Sequence, residues 1–505
     1  MSALCLCLTA RTLDGSMRQL ERYRAFIDMA ELRLDLIDPV ERENAHRFSS
    51  RANVPLILTL RLPEDGGEWG KRGESEEERK RLFIHLLESG GWAYIDLEHN
   101  RPLDEVVSVA RDAETVVIRS VHDFEGTLLS SPVSRISGLL KSLAENDCIP
   151  KLAALCMGSR QLLTLARAAL ALESLENKVV LGMGEFGTPS RILAHRLGSC
   201  WTYASPIKNR NEANDEPLAA PGQLNPEILE TLYRYRSIDK ETPLYAVAGN
   251  PVAQSRSPAI HNHWLIESAL AGSYLPIRCD DLAALIETCD IWGIQGLSVT
   301  LPHKKKAFSL CDYSDPLARR IGAANTMLRG GDGWRARNTD AAGFLSSLPK
   351  ALRLNDVSEL NGMRALVIGG GGAARAAAHA LADAGLRLVI LNRTESKARI
   401  LAKETGGIGG PLSADSYPLI RDGVHLAVQT TSLGMRPYEG VDPIPWWKFD
   451  GCSLVYDMVY EPIETALLAR ARAAGIRTMN GLEMLRAQAA LQFELFTGVK
   501  APAVD

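Results

Sequence analysis

Position 151 places a lysine in the apolar run Ile149-Pro150-Lys151-Leu152-Ala153-Ala154-Leu155. An amine among apolar side chains loses solvation of its charged form, which favours the free base and makes it a nucleophile toward carbonyl carbon. Condensed with a ketone, it forms an iminium that acidifies the neighbouring C–H bonds. A second group must then move the proton. His122, in Ser120-Val121-His122-Asp123-Phe124, changes charge near neutral pH, and Glu98 is expected to hold its imidazole in position. Arg33, Arg61 and Arg191 offer cationic forks to a carboxylated, hydroxylated substrate.

A different chemistry is written in the second half. Ala365-Leu366-Val367-Ile368 leads into Gly369-Gly370-Gly371-Gly372-Ala373-Ala374-Arg375, a strand, a glycine turn and a helix start in which Gly369, Gly371 and Ala374 fill a GxGxxA pattern. Small residues there permit a tight turn and close approach of a pyrophosphate to the helix N-terminus. The next strand, 387–391, ends not in an acidic residue for ribose hydroxyls but in Asn392-Arg393-Thr394, and Arg393 suits a 2′-phosphate. NADP(H) is therefore expected over NAD. Lys304 and Asp340 form a candidate proton-transfer pair for ketone reduction, and Ser255 and Ser257 offer two hydroxyls to a carboxylate.

These residues need a scaffold. In the first ~225 residues, strand-like runs at 4–8, 30–36, 54–60, 92–97, 115–119, 149–155, 178–183 and 200–204 recur with helical segments between several of them. Eight strands alternating with helices predict a (β/α)8 barrel, with a doubly wound sheet as the alternative. The placement of polar residues favours the barrel. Glu31 and Arg33 lie in the second strand, Arg61 after the third, Glu98 after the fourth, His122 after the fifth and Lys151 in the sixth, a ring typical of barrel active sites. Pro221, Gly222, Pro226 and Pro243 mark a linker, and the boundary is placed near residue 238. Two further α/β units and an amphipathic helix at 481–498 follow.

Composition narrows the function classes. A net charge of −4 gives no reason to expect nucleic acid, and no uncharged apolar run reaches membrane-span length. Nine scattered cysteines, without CxxC pairs or zinc spacing, suit a reducing compartment and no metal site. The apolar start lacks the basic region of a signal peptide, so the expectation is cytoplasmic, or plastid if a transit peptide was trimmed.

The motifs converge on two families. Glu-Leu-Arg-Leu-Asp at 31–35, Leu-Thr-Leu-Arg at 58–61, His122-Asp123-Phe124, Pro150-Lys151, Ser190-Arg191 and Ala220-Pro221-Gly222-Gln223 resemble type I 3-dehydroquinate dehydratase. The resemblance implies Lys151 as Schiff-base lysine, His122 as general acid/base supported by Glu98, and Glu31, Arg33, Arg61, Met183, Arg191 and Gln223 around the substrate. One departure is Ala219, where family members often carry serine.

Ser255-Arg256-Ser257-Pro258, Val299-Thr300-Leu301-Pro302-His303-Lys304, Gly322-Ala323-Ala324-Asn325-Thr326, Asn338-Thr339-Asp340 and the glycine loop resemble shikimate dehydrogenase. That implies Lys304 and Asp340 as the catalytic pair and Ser255, Ser257, Thr300, Asn325, Tyr460 and Gln488 on the substrate. NADP would lie on Gly369, Gly371, Gly372, Ala373, Ala374, Asn392, Arg393 and Thr394. Ser298 replaces a frequent asparagine.

The implied organisation is a barrel at 1–238 and a dehydrogenase at 239–505. The latter comprises a substrate-binding lobe (243–347 plus helix 481–505) and a Rossmann NADP-binding lobe (348–480). The expected partners are small molecules, 3-dehydroquinate, 3-dehydroshikimate and shikimate, with no oligomeric state implied. The alternatives are an NAD-dependent quinate/shikimate dehydrogenase in the second half, or a non-catalytic ligand-binding regulator.

Overall fold

The eight apolar runs of the first half become eight parallel strands in the computed structural model, which describes residues 2–101, 103–206 and 220–502. Ala219 and the end of the terminal span, 503–505, lie outside the described residues. The chain forms two compact units, Met1–Ile294 and Gln295–Asp505.

In the first unit the strands are β1 (Ala3–Leu8), β2 (Met29–Arg33), β3 (Leu56–Thr59), β4 (Tyr94–Glu98), β5 (Val116–Asp123), β6 (Ile149–Leu155), β7 (Val179–Met183) and β8 (Trp201–Ala204). Their order is β7-β6-β5-β4-β3-β2-β1-β8, and β2 and β3 are buried at every position, as strands covered on both faces must be. The end strands meet. The Cys200 amide donates to the Lys178 carbonyl at 2.8 Å, while Ser199 Oγ accepts from the Val180 amide at 2.9 Å and donates to its carbonyl at 3.1 Å. The barrel expected from strand count and polar placement is thus present.

Parallel register aligns the polar residues. Glu98 pairs with Ser120 and Ser120 with Lys151, so three neighbouring strands bring them to one level. The acidic run at 74–78 starts helix Glu76–Ser89 through a capping box: Ser75 Oγ accepts from the Glu78 amide and Glu78 accepts from the Ser75 amide at 2.7 Å. That helix carries Arg79 into the barrel wall, where it is fully buried. Helix Gly184–Ile192, which carries Arg191, lies backbone against backbone on β7: a Cβ on Gly182 would come 2.7 Å from Gly187 Cα. The unit ends with β9 (Leu244–Gly249) and β10 (Ser273–Arg278), parallel and joined through helix Ser257–Glu267, and with helix Leu282–Trp292.

The second unit opens with β11 (Ile294–Val299), β12 (Tyr313–Ser314), β13 (Thr326–Gly330) and β14 (Gly333–Arg337), in which β13 runs antiparallel to both β11 and β14. A six-stranded parallel sheet follows: β15 (Arg364–Ile368), β16 (Arg387–Asn392), β17 (Ile408–Pro411), β18 (Leu426–Gln429), β19 (Leu454–Asp457) and β20 (Arg477–Met479), ordered β17-β16-β15-β18-β19-β20. Ala365 and Val367 enter one apolar core and Leu366 and Ile368 the other, so this sheet is covered on both faces. Strand order reverses beside β15, where a ligand crevice is expected. The last helix, Leu482–Thr497, lies against helix Asp340–Leu352 at Gly343, where a Cβ would meet the Gln488 amide nitrogen at 2.7 Å. Among the described residues no helix is long and apolar enough to cross a membrane.

Gly187→Ala is expected to force apart the β7 backbone contact and destabilise the chain by about 1–3 kcal/mol, read as a lower urea midpoint with unchanged m-value.

Candidate active sites

Lys151 is not the solitary amine that its apolar sequence context suggests. Its Nζ donates to Asp96 Oδ2 at 2.7 Å, stands 3.9 Å from Glu31 Oε1 and lies 4.3 Å from the centre of the Tyr203 ring. Asp96 enters from β4, two residues before Glu98, and also accepts from Ser120 Oγ at 2.6 Å. Arg61 binds the same carboxylate through two bonds of 3.0 and 2.9 Å, and reaches Ser120 Oγ at 3.0 Å, His122 Nδ1 at 3.3 Å and Glu31 Oε1 at 3.4 Å. Glu31 further accepts from Thr59 Oγ1 and from Cys7 Sγ, both at 2.9 Å. Burial alone would raise the Asp96 ionisation, but Arg61 and Lys151 hold it well below the usual carboxylate range.

Glu98, expected beside His122, is held by a different partner. Glu98 is bound by Arg79, whose Nε also donates to the Leu60 carbonyl at 2.9 Å, and Glu98 accepts from the Leu62 amide at 3.4 Å. The carboxylate facing His122 is Asp65, with Oδ1 3.4 Å from Nδ1. The correction has a physical origin: a buried guanidinium from helix Glu76–Ser89 needs a carboxylate, and Glu98 supplies it. Asp65 is delivered by the turn after β3, whose Gly66 has φ +83° and lies against the Phe124 ring. The second Asp65 oxygen is buried without a partner. Burial, helped by Glu98, pushes Asp65 up to about 6. Burial, reinforced by Arg61 and Lys151, pushes His122 well below its usual value.

The three arginines differ. Arg33 makes a two-pronged pair with Asp35, at 2.9 and 2.7 Å, and donates to the Gly66 carbonyl at 3.3 Å. Arg61 is occupied as described. Arg191 is 2% exposed, has no carboxylate on it among the described residues, keeps Nε without a hydrogen-bond partner, and is pushed by burial down to about 10. It is an uncompensated buried cation suited to an anion. Gln223 reaches the same mouth: Nε2 donates to Cys7 Sγ at 3.6 Å and Oε1 is buried without a partner. Met183 is fully buried at the end of β7.

In the second unit Lys304 and Asp340 each begin a helix, and Lys304 Nζ lies 2.5 Å from Asp340 Oδ2. Asn325 Nδ2 reaches Asp340 Oδ1 at 2.9 Å, Thr339 Oγ1 at 2.8 Å and Gln488 Oε1 at 3.1 Å. Four predicted residues, Lys304, Asn325, Asp340 and Gln488, are thus brought together. Ser298 donates to Gln492 Oε1 at 2.8 Å, and Gln492 Nε2 donates to the Asn325 carbonyl at 3.0 Å, a brace that sequence reasoning does not find. Thr300 accepts from the His303 amide at 3.0 Å through its carbonyl, in the turn before helix Lys304–Leu310. Tyr460 follows β19 on a segment anchored by Asp457, which accepts from the Val459 amide at 2.9 Å. Ser255 and Ser257 belong to the first unit. There the Ser257 amide donates to Ser255 Oγ at 3.3 Å at the start of helix Ser257–Glu267.

The glycine loop fits a dinucleotide. A Cβ at Gly371 would meet nothing within 4 Å, leaving room beside the uncapped N-terminus of helix Gly372–Asp383. A Cβ at Gly370 would meet the Asn392 amide at 3.1 Å, and one at Gly372 would meet Lys304 Cβ at 3.0 Å. Gly369 itself has φ +132°. Ala374 is fully buried, and Ala373 precedes it in the first helical turn. Asn392 Nδ2 donates to the Thr394 carbonyl at 2.9 Å, and Arg393 between them is exposed without a carboxylate on it among the described residues. No group of metal-ligating residues occurs among the described residues.

Asp96→Asn would leave Arg61 and Lys151 with only the longer contacts to Glu31, at 3.4 and 3.9 Å, and is expected to cost about 3 kcal/mol in chemical denaturation. Because the fold depresses the Asp96 ionisation, its contribution in the native sequence is complete above about pH 4 and is lost as pH falls through the folded value. The variant's stability curve should lack that acid component.

Comparison with known proteins matches four stretches of the chain. Residues 4–240 match the type I 3-dehydroquinase model, 247–327 the shikimate dehydrogenase substrate binding domain, 351–414 the shikimate/quinate 5-dehydrogenase model, and 481–504 the shikimate 5′-dehydrogenase C-terminal domain. A chloroplastic bifunctional 3-dehydroquinate dehydratase/shikimate dehydrogenase of Arabidopsis thaliana is 31% identical over 517 residues, covering 99% of this chain and 83% of that protein. An NADP(+) shikimate dehydrogenase of Methylobacterium radiotolerans is 43% identical over 265 residues, 51% of this chain and 92% of that protein. A dehydroquinate dehydratase and shikimate dehydrogenase structure from S. pombe is 25% identical, with TM-score 0.43, covering 99% of this chain and 96% of that one. The chain belongs to the bifunctional 3-dehydroquinate dehydratase/shikimate dehydrogenase family.

Proposed function

We propose that the chain converts 3-dehydroquinate to 3-dehydroshikimate in its barrel and reduces that product to shikimate with NADPH in its second half, with the functional division near residue 238. The observation that carries this reading is the coexistence of two separate lysine–carboxylate pairs in one chain: Lys151 with Asp96 at 2.7 Å, and Lys304 with Asp340 at 2.5 Å beside a glycine loop.

In the barrel, Lys151 passes one proton to His122 and adds as free amine to the ketone; His122 returns that proton to the carbinolamine hydroxyl, which leaves as water, giving an iminium for which Asp96 remains the counter-ion. His122, kept neutral by its surroundings, takes the proton from the adjacent carbon and passes it to the departing hydroxyl, which leaves as water while the carbon–carbon double bond forms. Water then hydrolyses the imine and frees the amine. Arg191 receives the carboxylate and Gln223 Oε1 a hydroxyl. Asp65, not Glu98, orients His122 in this reading, while Arg33 and Arg61 shape the site through Asp35 and Asp96. Glu31 takes hydroxyl contacts, and Met183 packs on the substrate.

In the second half, Lys304 delivers a proton to the developing alkoxide, with Asp340 and Asn325 fixing its direction. Ser255 and Ser257 hold the carboxylate, and Thr300, Tyr460 and Gln488 the remaining hydroxyls. Gly369 to Ala374 hold the dinucleotide phosphates, and Asn392, Arg393 and Thr394 the 2′-phosphate. NADPH supplies the hydride. Arg393 in the place of an acidic residue disfavours the NAD-dependent alternative. A reducing compartment, cytoplasm or plastid, suits the nine free cysteines.

Adding 3-dehydroquinate and NADPH to the chain should give steady NADPH oxidation. Lys151→Ala should stop it but leave activity on supplied 3-dehydroshikimate, and Lys304→Ala should lose both. If the unaltered chain fails to oxidise NADPH with either compound, the proposed function is wrong. A pH profile separates Asp65 from Glu98. Asp65 is ionised above about 6, so dehydratase kcat should fall as pH drops through that value. Asp65→Asn should remove that limb and lower the plateau at least about tenfold, whereas Glu98→Gln should keep the limb but move it to lower pH.

A further inference from the structure

The first unit contains more than the barrel, and the contacts between its parts fall on functional loops. Arg278, the last residue of β10, lies in register with Gly249, beside the start of the loop 250–257 that carries Ser255 and Ser257. Its Nε donates to Asn250 Oδ1 at 3.2 Å. The other side of the guanidinium belongs to the barrel. Nη1 lies 2.5 Å from Glu185 Oε2, and the guanidinium carbon lies 4.9 Å from the centre of the Phe186 ring. Glu185 and Phe186 are in helix Gly184–Ile192, between Met183 and Arg191. That helix is tied in turn to the Pro221–Gln223 segment, since the Gly184 amide donates to the Pro221 carbonyl at 3.2 Å.

A second clasp fixes the same two parts. The Ser159 amide donates to Asp280 Oδ1 at 2.8 Å, and Ser159 Oγ accepts from the Asp280 amide at 3.1 Å. Ser159 is 1% exposed and begins the helix after β6, the strand of Lys151. Arg278, partly exposed, contributes little binding energy of its own, because a solvent-facing ion pair is weak. What it can do is direct the Asn250 side chain, and with it the entry of the serine loop.

We infer that Arg278 is a positioning residue through which the dehydratase barrel sets the conformation of the loop Asn250–Ser257, and so the grip of the dehydrogenase on its substrate. The inference rests on the reading of Ser255 and Ser257 as carboxylate ligands. A dehydrogenase of this family without a barrel has no Glu185 or Phe186 to hold such a residue. The fused chain therefore uses one catalytic module as part of the scaffold of the other's binding site.

The test is steady-state kinetics of the full chain with supplied 3-dehydroshikimate and NADPH, with thermal melting as a check on folding. Arg278→Ala should raise KM for 3-dehydroshikimate about two- to tenfold, with KM for NADPH unchanged. Glu185→Gln, which keeps the side-chain shape and serves if the first variant does not fold, should move the same constant in the same direction. The double variant should fall short of the product of the two effects. Arg278→Lys, which keeps the charge but not the planar fork, should restore only part of the loss. If Ser257→Ala raises KM while Arg278→Ala and Glu185→Gln do not, the positioning role is overturned and the ligand reading stands. If the serine variants also leave KM unchanged, the ligand reading falls and the inference with it. A uniform loss of kcat and both KM values together with melting temperature would mark Arg278 as merely structural and overturn the inference.

Discussion

Asp96 is the constraint on which the barrel depends. Removing Lys151 and Arg61 from water in the same few ångströms is tolerable because one carboxylate answers both most closely, at 2.7 Å and through a doubled contact at 3.0 and 2.9 Å, with Glu31 behind it at 3.9 and 3.4 Å. Once Arg61 is committed there, its remaining reach fixes Ser120, His122 and Glu31 around it. Arg191, by contrast, has no carboxylate on it among the described residues, and its Nε has no hydrogen-bond partner. The division of labour among three similar side chains thus follows from where carboxylates are and are not buried.

The second half meets the same difficulty differently. Its lysine and carboxylate stand at the first turns of two helices, and their alignment is enforced by an amide side chain rather than by a second cation. Asn325 is gripped through its carbonyl by Gln492 and through Nδ2 by Gln488, both from the terminal helix. Residues near the end of the chain therefore stabilise a geometry set up more than 140 positions earlier, which the close helix approach at Gly343 makes possible.

Much of the barrel is legible in the amino-acid sequence alone. The period-two spacing of Glu31 and Arg33 and the recurrence of apolar runs are enough for it, because strands buried on both faces carry a strong local signal. Asp96 is within reach of the same reasoning: it lies two residues before Glu98, on the same face of its strand and at its centre. Asp65 is not. Pro63-Glu64-Asp65-Gly66-Gly67 carries ordinary turn chemistry, and only the folding of the barrel, with β4 between β3 and β5, sets it against His122. Local sequence points Glu98 at the histidine because nothing nearby announces that Arg79, 19 residues earlier on a solvent-facing helix start, turns inward to claim it. Pairings across long sequence separations are decided by which buried charge lacks an answer, and that is a property of the assembled core.

The four consecutive glycines after β15 look like one motif, but three face different neighbours and Gly371 faces open space. Gly372 is the most consequential, since it lies against the stem of Lys304 while opening the helix that would carry the phosphates. A single methyl group there would be felt by two functions at once, proton delivery and cofactor seating, with no independent route to repair either. In evolutionary terms the position is pleiotropic. Residues 392–394 lie away from Lys304, so a change of nucleotide preference there need not disturb the lysine, whereas a change at Gly372 must.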